Sequence, residues 1–311
     1  MTTETSIVLE KTDEKERSPL SIIVRKIFRT IKRRYLKQFI LIMGLFILIL
    51  ILQILVSIPS LSNPFEIYYD GEAYAHNRQP SWRFWLGTDD TSHDMAVMLL
   101  HGLRNTLIFG VGCATIATTI AVAIGIFGPF KGGAADTATS FITNIAMVFP
   151  QLPFILFISS LIQQRSWVIV MLIIGLFSWP WAARSIRSQV LTLRERNFIN
   201  VSKMSALGDM KIAFSEVIPN VLSYIILVFC ISFGISIITE AGISVLGLGD
   251  RGHDFITLGF IMNYHDNYFL DQDYYNIWIS PGVVLTLLYL VFFVIQSSFI
   301  MTFNPRTREN I

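Results

Sequence analysis

The stretch FILIMGLFILILILQILVSI, residues 39–58, is a run of apolar side chains that only Gln53 and Ser57 interrupt. Its length matches the roughly 20 apolar residues that an α-helix needs to cross the hydrocarbon layer of a membrane. A cleaved signal peptide would have a shorter apolar stretch followed by small residues at a cleavage site, whereas this run ends at Pro59. The stretch therefore predicts a first transmembrane helix.

Five further apolar runs follow, at 106–127, 137–162, 167–183, 221–248 and 283–303. Together with 39–58 they predict an all-α integral membrane protein with six transmembrane helices. The third of the six contains Pro150 and Pro153. Proline inside a span is tolerated where neighbouring helices or a cavity satisfy the freed carbonyl groups. We therefore expect this broken helix to face the protein interior rather than lipid.

Composition excludes several classes of protein. Of the 311 residues, 53% are apolar and only 15% are charged, against about 25% charged residues in soluble proteins. A net charge of +2 argues against a nucleic-acid-binding protein, which would show a strong basic excess. The two cysteines, Cys113 and Cys230, fall in apolar runs. We expect them to be core residues rather than a disulfide or a metal pair.

Enzyme signatures are lacking in the sequence. It contains no G-x-x-x-x-G-K-[ST], no G-x-S-x-G and no H-E-x-x-H, and its five histidines show none of the familiar zinc spacings. We therefore expect no catalytic residue, no metal site and no cofactor on this chain.

The distribution of charge predicts the orientation of the chain in the membrane. If the chain crosses six times, 19 of its 24 Lys and Arg residues fall on one side, whereas the opposite side carries eleven acidic residues. Because basic residues concentrate on the cytoplasmic side, both termini should be cytoplasmic.

These spans divide the chain into segments. Residues 1–38 form a basic cytoplasmic segment, 39–58 the first transmembrane helix, 59–103 an outer segment, 104–303 a core of five transmembrane helices and 304–311 a cytoplasmic tail. Within the core, 184–220 is a cytoplasmic loop and 249–281 a second outer segment. Residues 93–103 mix apolar side chains with histidine and aspartate, a pattern that predicts an amphipathic interfacial helix on the outer face.

Two groups of side chains are predicted to face the interior of the bundle: small residues in the second span and polar residues in the third and fifth spans. The second span carries small residues at helical spacing, which let helix backbones approach closely: Gly110, Ala114, Ala117, Ala121, Gly125 and Gly128. Because polar groups are costly in hydrocarbon, polar residues in the third and fifth spans should face partner helices or a water-filled path. The candidates for a translocation path are Asn144, Gln151, Ser232, Ser236, Thr239 and Glu240.

Glu240 is the only carboxylate deep within an apolar run. One interpretation is an acid near the outer interface that accepts hydrogen bonds from a neighbouring helix. The other is contact with a substrate or an ion. The sequence leaves both open.

The loop 184–220 is basic, amphipathic and too long to be a simple linker. A helix-like stretch begins at Asn200, Gly208 and Asp209 can form a break, and Pro219 opens the fifth span. A short helix held at the membrane face between two spans can serve as a rigid lever for another protein.

The sequence resembles the membrane-spanning permease subunits of dipeptide/oligopeptide-type ABC importers along nearly its whole length. The segments that carry the resemblance occur in the family's order: LGTDDTSHD at 86–94, HGLRNTL at 101–107, WPWAAR at 179–184, EAGISVLGLG at 240–249, TLG at 257–259, Trp278 with Pro281-Gly282, and NPR at 304–306. Each segment is weak alone, and their order makes the resemblance specific.

The family's cytoplasmic hallmark is Glu-Ala-Ala, three residues, Gly, and a Pro thirteen residues after that Gly. Counting back from Pro219 places the hallmark at Asn200-Val201-Ser202, with Ala206 at the Gly position. The spacing is kept but the identities are not, and Gly208 is a candidate for a displaced break. The resemblance implies a coupling helix at about 198–215 that docks on an ATPase; its candidate residues are Asn200, Val201, Ser202, Lys203, Ala206, Leu207, Gly208, Asp209 and Pro219.

The resemblance also implies partners. These are a second homologous permease subunit, two cytoplasmic ATPase subunits that bind ATP and Mg, and an extracytoplasmic solute-binding protein. Candidate contacts for the binding protein are Asp89, Asp90, His93, Asp94, Asp250 and His253. The resemblance implies import of peptides by a multi-pass protein of the plasma or inner membrane. Import of oligosaccharides is an alternative within the family, and a self-sufficient secondary transporter is an alternative of another class.

Overall fold

The computed structural model describes residues 73–163, 165–196, 208–250, 255–266 and 275–303, together with parts of the range 44–70. The described chain is mostly helical, which confirms the predicted mainly α-helical membrane architecture. The predicted outer segment 59–103 is largely non-helical before Met95 and contains a small antiparallel hairpin of two strands, β1 (Tyr69–Asp70) and β2 (Ala73–Tyr74).

Nine α-helices are described, in the order α1 (Met95–Lys131), α2 (Gly133–Ala146), α3 (Gln151–Leu161), α4 (Trp167–Phe177), α5 (Trp179–Arg194), α6 (Asp209–Ile212), α7 (Ile218–Val245), α8 (Leu258–Tyr264) and α9 (Tyr275–Phe303). A π-helical turn, Ala213–Val217, joins α6 to α7. The helix α1 packs against α4, α5 and α7 and forms the centre of the bundle.

Four helical segments in the described chain are long and apolar enough to cross a membrane: α1, α4 with α5, the π-helical turn with α7, and α9. The pair α2–α3 adds a fifth if it is one span, and its two halves are bent by 75°. Half of the predicted first span, 39–58, lies outside the described residues, as do all of 1–38 and 304–311. Its described positions 51–52 and 54–56 are helical, and Leu52 packs in a cluster with Leu107 and Phe233.

Helix α1 begins earlier than the sequence predicts. Asp94 caps its first turn by accepting a hydrogen bond from the backbone N–H of Ala96 at 2.8 Å. From Met95 the helix runs without a break, so residues 95–103 are its first turns rather than a separate interfacial helix. Contacts with a distant part of the chain stabilise these turns, because Met95 and Met98 are fully buried and belong to the same hydrophobic cluster as Ile261.

The small residues of α1 occupy its contacts with other helices, as predicted. A Cβ atom on Gly110 would approach the Phe233 ring of α7 to 2.6 Å, and one on Gly125 would approach the backbone oxygen of Ala183 in α5 to 2.8 Å. These separations are shorter than non-bonded atoms tolerate. Glycine therefore permits α1 to pack closely against both α5 and α7.

The described parts of the predicted cytoplasmic loop, 184–220, are mainly helical. Helix α5 continues to Arg194, and α6 begins at Asp209. Pro219 lies in the first turn of α7, directly after the π-helical turn. Proline has no N–H to donate to the carbonyl four residues earlier, which accounts for the wide π-helical turn before Pro219. The side chain that follows this proline also bonds to the turn, since Asn220 Nδ2 donates to the carbonyl of Glu216 at 2.6 Å.

Candidate functional site

Two helix breaks define the candidate site. The first separates α2 from α3, where Pro150 adopts an extended backbone conformation and Gln151 begins the new helix. The second is at Ser178, between α4 and α5, where Pro180 lies in the first turn of α5. In both places proline favours the start of a helix because it lacks the N–H that the first turn cannot use.

The two breaks lie at the same depth. Helices α3 and α4 each contain 11 residues and follow one another through the short connection 162–166. At 1.5 Å per residue each helix is about 16 Å long, so both breaks are equally far from the connection. This distance is about half the thickness of the hydrocarbon layer, so a connection at one membrane face would place both breaks near the middle of the membrane.

A hydrogen bond joins the two breaks. Gln151 Nε2 donates to Ser178 Oγ at 2.8 Å, and Ser178 Oγ donates to the carbonyl of Ile174 at 2.6 Å. The serine hydroxyl therefore fixes the glutamine relative to α4. Gln151 is thus the predicted path residue that lies where the two breaks meet.

A cavity of about 490 Å³ opens between the breaks, within the range of roughly 300–1,000 Å³ that is typical of small-molecule sites. Its walls are mainly aromatic, with Gln151 and Ser178 as polar groups; the aromatic lining residues are Phe149, Phe154, Phe177, Trp179 and Trp181. The edge of the Phe154 ring packs against Phe177, with ring centroids 4.9 Å apart. An aromatic cavity with a few polar groups can accept a ligand of mixed apolar and polar character.

Beyond the cavity, toward the C-terminal end of α5, polar contacts fasten α2 to α5. Arg187 makes a two-point contact with Asp136: Nε donates to Oδ1 at 2.9 Å and Nη2 to Oδ2 at 2.8 Å. Arg184 Nη2 donates to Oδ1 of Asn144 at 2.9 Å. Arg194 Nη1 donates to the carbonyl of Pro129 at the end of α1, at 2.8 Å. The predicted path residue Asn144 is therefore part of a helix–helix contact.

The other path candidates lie in α7, among buried helices rather than in the cavity lining. Ser232, Ser236, Thr239 and Glu240 are all at most 5% exposed. Thr239 Oγ1 donates to the carbonyl of Ile235 within its own helix.

Glu240 holds the start of α8. Its Oε1 accepts hydrogen bonds from Ser244 Oγ at 2.7 Å and from Thr257 Oγ1 at 2.6 Å. Thr257 is the N-cap of α8 and accepts a hydrogen bond from the N–H of Phe260. Helix α1 contacts the same point, because Asn105 Nδ2 donates to the carbonyl of Ile256 at 2.8 Å. The geometry thus corresponds to the first interpretation of Glu240, an acid that accepts hydrogen bonds from a neighbouring element.

Asp89 and His93, predicted to contact a binding protein, are buried instead. Asp89 is 0% exposed. Its Oδ2 lies 2.9 Å from His93 Nδ1 and 3.2 Å from His265 Nε2, which ties the first outer segment to the end of α8. Burial alone would raise the pKa of Asp89, but the hydrogen bonds from His265 and His93 outweigh it and hold this pKa well below the ordinary value.

The remaining binding-protein candidates are distributed differently. Asp94 is the helix cap of α1, so its carboxylate already has a structural partner. Asp90 is exposed and Asp250 is half-buried. His253 lies outside the described residues, as do the coupling candidates Asn200, Val201, Ser202, Lys203, Ala206 and Leu207. Gly208 is exposed, and its carbonyl accepts a hydrogen bond from the N–H of Ile212, the last residue of α6.

Comparison with known proteins gives the class of this chain. A family model described as the inner membrane component of binding-protein-dependent transport systems matches residues 117–309. A peptide permease protein of Brucella suis is 30% identical over 241 residues, which are 78% of this chain and 79% of that protein. The oligopeptide transport system permease protein OppC of Mycobacterium tuberculosis is 28% identical over 229 residues, 73% of this chain and 77% of that protein.

A solved structure has a similar fold. The MetNI methionine ABC transporter, in an inward-facing conformation, has a chain that resembles this one with a TM-score of 0.53 and 18% identity. The match covers 68% of this chain and 98% of that chain, and at this identity it shows similarity of fold alone. The chain belongs to the family of binding-protein-dependent transport system inner membrane components.

Proposed function

We propose that this chain is a permease subunit of an ATP-driven importer and forms half of a translocation path for peptides. The observation that carries the proposal is the aromatic cavity between two helix breaks near the middle of the membrane. The relatives named as peptide and oligopeptide permeases support peptides as the substrate class. The chain itself is not an enzyme in this proposal, and ATP and Mg are bound by separate ATPase subunits.

A second permease subunit would complete the path. The bent pair α2–α3 carries large apolar side chains that the rest of the described chain leaves exposed, among them Phe141 (64%), Val148 (76%), Phe157 (58%) and Leu161 (64%). Val148 lies at the break itself. An apolar surface that adjoins the cavity is suited to packing against a homologous subunit, with the cavity opening toward the interface between the two.

The ATPase subunits would act through the loop that follows α5. We propose that residues 198–215 form the coupling helix, with Gly208 and Asp209 near its end and Pro219 at the start of the next span. The contacts of Arg184 with Asn144 and of Arg187 with Asp136 supply a physical connection from this loop to the broken helix. ATP binding would then favour one of two rigid-body arrangements of the bundle.

The orientation in this proposal follows the charge distribution. Six spans, with both termini in the cytoplasm of a plasma or inner membrane, place 19 of the 24 basic residues on the cytoplasmic side. A solute-binding protein would then deliver substrate to the outer segments. Asp90, Asp250 and His253 are its candidate contacts.

Reconstitution tests the proposal. The chain would be co-expressed with a candidate partner permease, two ATPase subunits and a solute-binding protein, and placed in proteoliposomes with labelled peptides. We expect uptake only with ATP and with all components present. Uptake of labelled oligosaccharides in place of peptides would support the alternative substrate. Uptake by the chain alone, without nucleotide, would identify a secondary transporter and overturn the proposal.

A further inference from the structure

The turn at residues 81–87 in the first outer segment exposes two tryptophans. Trp82 is 98% exposed and Trp85 is 75% exposed, whereas Phe84 between them is buried. The turn is held by its own hydrogen bonds, since Ser81 donates from its N–H to the carbonyl of Phe84 at 2.7 Å and Gly87 donates to the same carbonyl at 3.1 Å. The backbone of this turn therefore directs both indoles away from the protein.

The turn lies beside the first turn of α9. Asn276 Nδ2 donates to the carbonyl of Leu86 at 2.7 Å. The Leu86 side chain packs in the same cluster as Ile277. Trp85, the preceding residue, is therefore at the level where α9 begins, which is one end of a candidate membrane span.

The exposed face of α9 continues from this level as an apolar stripe. Only 22% of the most apolar 18-residue window of α9 is buried, against 44–50% for the other three long candidate spans in the described chain. The residues on the exposed face follow each other at helical spacing: Ile279, Val283, Leu287, Val291 and Val294. Tyr275, 62% exposed, lies one turn before Ile279 at the end of this stripe. An apolar stripe with aromatic residues at its end is typical of a surface in contact with lipid, with the aromatic rings at the headgroup level.

The charge of the segment fits the same surface. Residues 78–87, RQPSWRFWLG, contain two arginines and no acidic residue, although the outer segment around them is acidic. Arg83 is exposed between the two tryptophans, and its guanidinium lies 5.4 Å from the centre of the Phe84 ring. Guanidinium groups form strong hydrogen bonds with phosphate oxygens, and indoles combine an apolar ring with an N–H donor.

We propose that the turn 81–87 is a membrane anchor whose two indoles lie in the lipid headgroup layer beside α9. The anchor would set the height of the outer segment relative to the membrane, because Leu86 and Gly87 lead directly into the segment that contains Asp89. This proposal concerns the lipid contact alone and does not depend on the transported substrate.

Tryptophan fluorescence of the full-length chain in nanodiscs tests the anchor. Emission from the wild-type chain is compared with that of a Trp82→Phe/Trp85→Phe variant, so that their difference reports the two indoles. The control is Trp181→Phe, which removes an indole that lines the mid-membrane cavity. The quenchers are phosphatidylcholine brominated near the headgroup, phosphatidylcholine brominated deep in the acyl chain, and aqueous iodide.

We expect the difference emission to lie at shorter wavelength than an indole in water. Bromine near the headgroup should quench it more strongly than deep bromine or iodide. Strong quenching by iodide with none by bromolipid would place the indoles in water and overturn the proposal. Protection from all three quenchers would place them under protein, in a self-association or partner interface, and would overturn it equally.

Discussion

Substitution of Glu240 tests whether this buried acid holds the fold or contributes to the translocation path. Its Oε1 accepts hydrogen bonds from two hydroxyl groups, on Ser244 in the same helix and on Thr257 at the start of α8. Within the described residues, its Oε2 has no hydrogen-bond partner. Glu240→Ala removes the shared acceptor and leaves both hydroxyls buried. Glu240→Gln retains an acceptor oxygen at the same place.

The expected magnitudes follow from these contacts. A buried polar group that loses its partner costs about 1–3 kcal/mol, so two orphaned hydroxyls give a loss of about 2–6 kcal/mol of stability for Glu240→Ala. Glu240→Gln should cost less, about 1–3 kcal/mol, because only its amide N–H groups lack a partner. We expect a lower thermal transition and a lower yield of assembled transporter for the alanine variant. Uptake per assembled glutamine variant should be close to that of the wild type.

The assay combines a thermal-stability measurement on the purified complex with ATP-dependent uptake normalised to assembled protein. The matched control is Thr239→Val, because Thr239 is equally buried but its hydroxyl bonds only within its own helix. A double-mutant cycle with Thr257→Val should give a coupling of about 1–3 kcal/mol. If Glu240→Gln keeps wild-type stability but loses uptake, Glu240 contacts the transported solute and the structural role is refuted.

Three further predictions follow from other contacts. Asp136→Asn and Arg187→Gln should each reduce uptake more than ATP hydrolysis. Because the ion pair is partly exposed, a double-mutant cycle should give a coupling of only about 1 kcal/mol. Full uptake with both variants would contradict the proposed connection between α5 and α2. Gly125→Ala should destabilise the bundle by about 1–3 kcal/mol. Gly242→Ala should not, because the space around its added Cβ is open. Equal melting temperatures of the two variants would contradict the close packing of α1 against α5. The lowered pKa of Asp89 implies a contribution to stability that is present above the ordinary carboxyl pKa of 3.8 and is lost as pH falls below it. Asp89→Asn should therefore lower the melting temperature at neutral pH. An unchanged melting temperature would contradict the stabilising role of the Asp89 carboxylate.

The sequence predicted an interfacial helix at 93–103 and a separate span at 106–127, whereas the structure has one continuous helix. The run that begins at Thr106 was recognised, but α1 starts at Met95 because the polar side chains between these positions find partners in the fold. His101 Nε2 bonds to the carbonyl of Leu61, and Asn105 bonds to the carbonyl of Ile256. These partners are 40 and 151 residues away, so the spacing of apolar residues along the chain contains no information about them.

One side of the candidate site was predictable from the sequence, and the other side was not, because it comes from a different part of the chain. Pro150 marked the third span as broken, and Gln151 was recognised as a polar residue near that break. Its partner Ser178 was missed because it lies in a different helix. The signal that could have found it is Pro180, which breaks the next span after an equally long apolar stretch.

In the proposed coupling, the contacts of α5 would connect movement of the loop that follows this helix to the cavity. The side chains of Arg184, Arg187 and Arg194 recur at helical spacing on one face of α5, where residues three or four apart are neighbours, and they fasten this helix to α2 and to the end of α1. Ser178 and Pro180 are at the opposite end of α5, where the cavity begins. A helix of 16 residues transmits displacement along about 24 Å. Because packed interfaces change between discrete arrangements rather than deform continuously, a shift of α5 would move α2 with it and alter the angle at Pro150.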